Sequence, residues 1–575
     1  MTKIALKGNR MNEYENVDGS RRRACAPAPS PSATTSTPPS AVTDPSPQPP
    51  DTPIDCDVLV IGGGINGCGI SRDLAGRGWR VMLCEQDDLA SHTSSSSTKL
   101  IHGGLRYLEY YEFSLVRKAL REREVLLKSA PHIMWPLRFV MPHDPTTRPA
   151  WMIRVGLFLY DHLAKREMLP GSHGIDLRRH PAGTPLKPQY RRGFVYSDGW
   201  VDDARLVLLT AIDARDHGAE ILTRTRCVRA RRDADAWTAT LEGPAGARTV
   251  RARAVVNAAG PWAEAFLRGV AESARGETMA TKSLRLVKGS HIVVKRLFDH
   301  DHAYIFQNPD KRIIFAIPYE DAFTLIGTTD VEIKSDDPGA ARASPDEIAY
   351  LCEQVSRYFE RPVTPADVVW TYSGVRPLLD DASGDPSAVT RDYLLEANTD
   401  GAPLLSVWGG KITTFRKLAE DAADEVGTLL GQGPARRPAW TAGAFLAGGD
   451  LSGWIGPRRR GERPVDEFER FVAAVLARHP WLDATLARRL AHAYGARIAD
   501  VLGDAASPAD LGAEVAPGLH ERELRFMRAQ EWVRTADDAL WRRSKLGLRY
   551  TAEQRAAVGA WLAACSGREV AHATA

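Results

Sequence analysis

The sequence predicts an α/β protein: a parallel sheet wrapped by helices, a second region of short strands, and an all-helical end. Three observations carry this. Asp57 to Glu85, DVLVIGGGINGCGISRDLAGRGWRVMLCE, reads as strand, glycine turn, helix, strand, acid. Residues 283–330 hold short β-rich runs separated by polar turns. Residues 440–575 are rich in Ala, Leu and Arg, and Phe468, Phe471, Val472, Val475 and Leu476 fall on one helical face.

In the first unit, Val58 to Ile61 form the apolar, β-branched run expected of a strand buried on both faces. Gly62, Gly64 and Gly67 give Gly-x-Gly-x-x-Gly where that strand stops. The first glycine permits the tight turn, the second lets backbone approach a pyrophosphate, and the third lets the helix pack closely on the sheet. The helix start offers N–H groups and a positive dipole end to phosphate. A second strand, Trp79 to Cys84, ends at Glu85, where an acid binds ribose hydroxyls. The unit is therefore Rossmann-type and binds a dinucleotide.

An amphipathic helix follows, with Leu115, Val116, Ala119, Leu120, Leu126 and Leu127 on its apolar side. Trp151 to Leu163 is apolar nearly all round, which predicts a buried helix; the competing reading is an interfacial helix on a membrane. Asp203 opens a helix that stops before Gly218, a strand carries Cys227 and Val228, and a hairpin-like region, Trp237 to Leu241 and Thr249 to Val256, runs into Asn257 to Gly260. A strand ending in such a small-residue turn returns backbone to the dinucleotide. A further glycine turn at Gly409 and Gly410 breaks into a helix near Thr413. Residues 1 to about 53 are rich in Pro, Ser, Thr and Ala and should form a disordered tail.

Composition excludes several classes. The formal net charge of +3, from 75 Lys plus Arg against 72 Asp plus Glu, carries no nucleic-acid signature. The 7 Cys show no CxxC spacing, so neither a disulfide framework nor a metal site is expected. No run of 18 apolar residues predicts a membrane span, and the acidic start of the chain is not a secretory signal.

A set of blocks then resembles one family. GGGINGCGI, SSSSTKLIHGGLRYLE, LKSAPHIMWPLRFVMPH, RPAWMIRVGLFLYDHL, LKPQYRRGFVYSDGWVDDARLV, VNAAGPW, KGSHIVV, IGTTD, WTYSGVRPL, WGGKITTFRKLAE and DDALWRRSKLG look like the FAD-dependent glycerol-3-phosphate dehydrogenases of the aerobic respiratory type. The likeness runs from about residue 54 to the end. It implies an FAD-binding domain (about 54–130, 195–275 and 370–435) interleaved with an antiparallel-sheet substrate, or cap, domain (about 131–194 and 276–369), and a C-terminal helical domain from 440. It adds Ser95, Ser96, Lys99, Val228, Gly260, Gly410 and Thr413 to the expected cofactor contacts, with FAD held non-covalently. The helix near Thr413 would face the flavin and stabilise negative charge on it.

Oxidising a phosphorylated alcohol needs cations for the phosphate and a proton acceptor for the hydroxyl. In the matching blocks the cations are Arg106, Arg376, Arg391 and Lys411, and the candidate bases are His102 and His291; Tyr107 and Thr329 would hydrogen-bond substrate. Arginine is too basic to accept the proton, so Arg376 is assigned to a developing alkoxide. The implied reaction is sn-glycerol 3-phosphate to dihydroxyacetone phosphate, with electrons passed to a membrane quinone. The protein would be cytoplasmic, bound peripherally to an anionic membrane surface at the inner face, with Trp151 to Arg166 and Pro457 to Arg463 as candidate contacts; a homodimer is compatible with this. Competing readings are a glycerol-3-phosphate oxidase that makes peroxide, an amine oxidase of the glycine-oxidase type, and a flavoprotein that binds a partner or RNA without turnover. The amine oxidase would leave the cluster of Arg106, Arg391 and Lys411 unexplained.

Overall fold

Strand Cys56–Ile61 lies inside a nine-stranded sheet, with Val81–Cys84 on one side and Gly246–Asn257 on the other, both parallel to it. This computed structural model describes residues 53–573 except 145–147, 274, 311, 335–336 and 381–391. The tail expected over 1 to 53 falls almost wholly outside the described residues, and so does Arg391. Strand Glu220–Leu222 extends the parallel part, and Leu404–Trp408 joins the far side of Gly246–Asn257, also parallel. The first half of Gly246–Asn257 instead pairs antiparallel with Trp237–Gly243, the hairpin read from sequence.

Helices Ile65–Gly76, Asp203–Asp216 and Phe415–Leu429 cover one face. Ile70, Leu74, Val207, Ile212, Leu418 and Ala422 pack there on Val58, Val60 and Leu83 in one core. The Asp202 carboxylate accepts from the Arg205 N–H and fixes the start of its helix.

The second sheet has ten strands. Leu284–Lys295 is its spine: Val368–Leu379 runs antiparallel along its whole length, and Phe323–Gly327 pairs with its second half. Ile313–Tyr319, Ala303–Gln307, Met134–Pro142, Arg192–Val201 and Leu100–Ile101 continue the row, Val331–Ile333 pairs with the spine and His173–Asp176 with Arg192–Val201, all antiparallel except where Ala303–Gln307 meets Met134–Pro142. Leu100–Ile101 and most of Arg192–Val201 and of Val368–Leu379 thus belong to this sheet although sequence placed them in dinucleotide-binding stretches. Their apolar alternation is the same in either sheet, so only pairing assigns them.

The C-terminal region packs Pro464–Arg478, Ala484–Tyr494, Ile498–Leu502 and Glu521–Gln530 around Phe468, Phe471, Val475, Leu490, Tyr494 and Leu524.

One expectation is overturned. Helix Ala150–His162 is not buried all round: Trp151 is 67% and Phe158 54% exposed, and Met152, Val155 and Leu159 are exposed with them. Ile153, Leu157 and Tyr160, one narrow stripe, are buried in the core beside Val116, Leu120 and Phe139, with Ala150 partly buried against it. Apolar composition on every side of a helix sets what could be buried; the neighbours present decide what is.

Candidate active site

The carboxyl ends of the parallel strands open into a cavity of about 500 Å³ that continues to the face of the second sheet. Ligands in α/β sheets bind at this end of the strands. Gly62 takes φ +107°, and a Cβ there would fall 2.6 Å from the Ala258 carbonyl oxygen, so the turn requires glycine. A Cβ at Gly67 would lie 1.9 Å from the Gly62 carbonyl oxygen; this glycine serves helix packing and stays behind the wall. Gly64 faces the cavity, and its Cβ would meet only the Ser94 hydroxyl at 3.1 Å. The same hydroxyl accepts from the Ile65 N–H.

Glu85 closes the second strand as expected. It is buried, lines the cavity, and accepts from the N–H groups of Gly63 at 2.6 Å and Asp87 at 2.9 Å. Burial pushes its carboxyl pKa up, against the pull of those two N–H groups. Glu85, Asp87 and His92 also lie close enough to suggest a metal, yet Asp87 is bonded to His92 at 2.8 Å and Glu85 is occupied by backbone, so the group reads as a hydrogen-bonded loop. A glycine turn that only glycine can form, an acid at the second strand and a wall built from Ala258 to Gly260 fit the pyrophosphate and adenosine half of a flavin dinucleotide.

Ser96, Gly260, Gly410 and Thr413 are in the wall. Gly410 takes φ +100°. The turn Ile412–Thr414 feeds the helix Phe415–Leu429, and the Thr413 hydroxyl accepts from the His102 N–H at 3.2 Å. Ser95, Lys99 and Val228 are not brought to the wall. Lys99 is 1% exposed and donates to Asp203 at 2.7 Å and to the Ser95 carbonyl. Val228 sits at a register shift of its strand, and its neighbour Cys227 faces the cavity instead.

At the other end, His102, Arg106, Tyr107, Arg376 and Lys411 share the wall with Ile305, Ile313 and Phe315. The Lys411 ammonium lies 3.8 Å from the Tyr107 ring centre. Arg106 donates to the Tyr110 hydroxyl at 3.3 Å. Arg376 is held by Asp330 at 2.5 Å and the Thr328 hydroxyl at 3.3 Å, across Gly289, whose Cβ would collide with the guanidinium at 2.4 Å.

Two residues named from sequence lie behind this wall. Thr329 is buried; its hydroxyl donates to Glu347 at 2.8 Å and accepts from the Ser290 N–H. The neighbours Thr328 and Asp330 face the cavity in its place. His291 is buried, stacks on Tyr372 at 4.7 Å, and reaches the cavity only through Thr98, whose hydroxyl is 3.0 Å from Nε2. Burial, with Arg376 and Lys99 nearby, holds its pKa well below the usual histidine value, so it is neutral. Asp330, Thr328 and Thr98 are the residues sequence reasoning missed. Asp330 stands in the quoted IGTTD block, one position from the residue chosen.

Fold and site together define a flavin-dinucleotide oxidoreductase. The family model described as FAD dependent oxidoreductase matches residues 57–416, and one described as the C-terminal domain of alpha-glycerophosphate oxidase matches residues 440–567. The chain belongs to the FAD-dependent oxidoreductase family, and its cofactor is FAD. It is 51% identical over 512 residues to the glycerol-3-phosphate dehydrogenase of Pseudomonas aeruginosa, covering 88% of this chain and 94% of that one. It is 49% identical to the aerobic glycerol-3-phosphate dehydrogenase of Escherichia coli (88% and 97% covered) and 49% identical to the D-erythritol 1-phosphate dehydrogenase of Brucella abortus (88% and 98%). Among solved structures, the glycerol-3-phosphate dehydrogenase of Bacillus halodurans complexed with FAD matches with a TM-score of 0.66 at 27% identity, covering 88% of this chain and 94% of that one.

Proposed function

We propose that the chain oxidises sn-glycerol 3-phosphate to dihydroxyacetone phosphate and passes the electrons to a membrane quinone, as a step in glycerol catabolism. The observation that carries this is the convergence of Arg106, Lys411 and Arg376 with His102 on one wall of the cavity that holds the dinucleotide turn. The names of the relatives agree with it. FAD supplies the hydride acceptor and passes electrons on singly or in pairs. Arg106 and Lys411 hold the phosphate, with Arg391 joining them by the family resemblance. Arg376, steadied by Asp330, stabilises the alkoxide as the hydroxyl proton leaves. The proton goes to His102 directly or to His291 through Thr98. Glycerol 3-phosphate added without air to the purified protein should bleach the visible flavin band. A band untouched by it but bleached by D-erythritol 1-phosphate would reassign the substrate to the longer polyol phosphate.

A second reading, glycerol-3-phosphate oxidase, is favoured by the C-terminal match to the domain named for alpha-glycerophosphate oxidase. Peroxide formed one-for-one with product would establish it.

A long-tailed quinone stays in the bilayer, so the reduced site must come to a membrane. Among the described residues no helix is long and apolar enough to cross one. Peripheral contact is supported by the exposed apolar face of helix Ala150–His162, by the exposed Tyr110, Tyr111 and Phe113, and by the exposed Arg117, Arg121, Arg154 and Lys165. The other candidate stretch, Pro457 to Arg463, has Arg458 and Arg463 engaged by Glu467 and Asp466. This reading places the enzyme on the inner face of the cell membrane. Binding to anionic vesicles at low salt should weaken as salt rises and in a Trp151→Ser, Phe158→Ser variant. Indifference to such vesicles would contradict it.

A further inference from the structure

The loop after Glu85 ends in a buried charge whose hydrogen bonds come from outside its own domain. Asp88 is 3% exposed. Its hydrogen-bonding partners come from the C-terminal domain: Arg543 grips both carboxylate oxygens, and Arg542 donates to it at 2.6 Å, while Arg224 of the neighbouring loop stands off at 3.8 Å. Arg542 also bonds Asp538 at 2.5 Å. Asp538 in turn receives Arg224 at 2.6 Å. Arg224 belongs to the second loop at this end of the cavity: its N–H donates to the Asp87 carbonyl, and the next N–H, of Thr225, donates to the Glu85 carbonyl. Thr225, Arg226 and Cys227 then line the cavity beside Glu85. One turn of the C-terminal domain, Asp538–Arg543, therefore ties together the two loops that shape the adenosine end of the site.

The energetics make this tie directional. A carboxylate as buried as that of Asp88 is tolerated only while its cations are in place. If they leave, the loop that carries it must open toward water, and Glu85, three residues away, moves with it. The Arg534 and Thr535 N–H groups and the two arginines hold Asp538 at about 2, against the upward push of burial, so it stays ionised throughout the physiological range. Trp541, in the same turn, stacks on Trp370 of the second sheet at 4.6 Å and fixes the turn from its other side.

We infer that Arg542 and Arg543 are positioning residues for the cofactor, and that the C-terminal helical domain serves to retain FAD by latching its adenosine-binding loops. The latch and the cofactor stabilise the same loop conformation, so each must strengthen the other by the same factor. The inference rests on the FAD site and not on which alcohol is oxidised.

The test is the rate at which the full-length holoprotein releases FAD on dilution, read by recovery of flavin fluorescence, with melting curves recorded with and without added FAD. Arg542→Gln and Arg224→Gln each cut the link through Asp538, the former leaving only Arg543 hydrogen-bonded to Asp88, at side chains that are only partly buried, which favours a folded product. Each should speed release by about 10- to 100-fold, shrink the rise in Tm that FAD confers, and lose activity that excess FAD restores. The double variant should be scarcely worse than the worse single, because both cut one chain of contacts. Arg542→Lys, which keeps the charge but cannot bridge Asp88 and Asp538 together, should fall between wild type and Gln, and it gives the same comparison if the Gln variant does not fold. Unchanged FAD release, with Tm lowered equally in the presence and absence of FAD, would overturn the inference and leave the network as domain glue.

Discussion

Replacing Lys411 by alanine removes one cation from the cavity wall and leaves the backbone turn at Gly409 and Gly410 intact. A charge-assisted hydrogen bond to phosphate contributes about 1.5–3 kcal/mol. At about 1.4 kcal/mol per factor of ten, kcat/KM for glycerol 3-phosphate should fall by about 10- to 100-fold. Lys411 also lies over the Tyr107 ring at 3.8 Å. Losing that contact costs about 0.5–1 kcal/mol and loosens Tyr107 for any substrate. The two effects separate on glycerol, which has no phosphate. If Lys411 binds phosphate, glycerol oxidation should drop no more than about fivefold, the cation–π share alone. Initial rates with a soluble quinone analogue, measured on both substrates with wild type and variant, give the comparison. Equal losses on the two substrates would refute the anchoring role and leave Arg106 as the main ligand among the described cations.

Other perturbations address the remaining parts. Removal of the base should abolish the acidic limb of the kcat/KM profile for both substrates alike; His102→Asn doing so identifies the residue in the wall, whereas a limb well below pH 6.5 that vanishes in His291→Asn and in Thr98→Val identifies the relay. Gly64→Val should fold, because a Cβ there meets only the Ser94 hydroxyl at 3.1 Å, yet it should retain little FAD by its visible absorbance; normal loading would mean the pyrophosphate lies elsewhere. His300 is half-buried, accepts the His302 N–H at Nδ1 and faces the Tyr304 hydroxyl at Nε2; burial first, then the neighbouring His302 and His180, lower its pKa to about 4. The unfolded chain therefore binds a proton that the folded one refuses, so the stability this group contributes is present above about pH 6.5 and lost as pH falls toward 4. Denaturant titrations should show a shallower acid slope in His300→Gln, and an unchanged slope would exclude this site as a source of acid sensitivity.

What sequence could and could not say divides along one physical line. The strand, turn, helix and acid from Val58 to Glu85 were legible because each glycine and the acid act on backbone within the same unit, so spacing along the chain is spacing in the site. The strand runs of the second sheet were legible for a similar reason. Which side of a strand end faces the cavity was not: Thr328, Thr329 and Asp330 alternate, and a one-residue choice turned an interior hydroxyl, spent on Glu347, into an expected substrate contact. His291 fails in the same way, since its strand carries it behind the wall and only pairing with Tyr372 and Thr98 reveals the depth. Helix Ala150–His162 fails from the opposite side, because apolar residues predict burial only where a partner surface exists. The C-terminal domain was the least legible part. Its contribution depends on Arg542 and Arg543 meeting an aspartate about 450 residues away, and a pair of arginines in a helical region reads as ordinary surface charge until the fold shows the carboxylate they neutralise. Residues that act through a distant ion pair leave no periodicity and no motif of their own. Where a sequence assigns chemistry to one domain and none to another, the buried charges that cross between the two are the place to seek the silent domain's role.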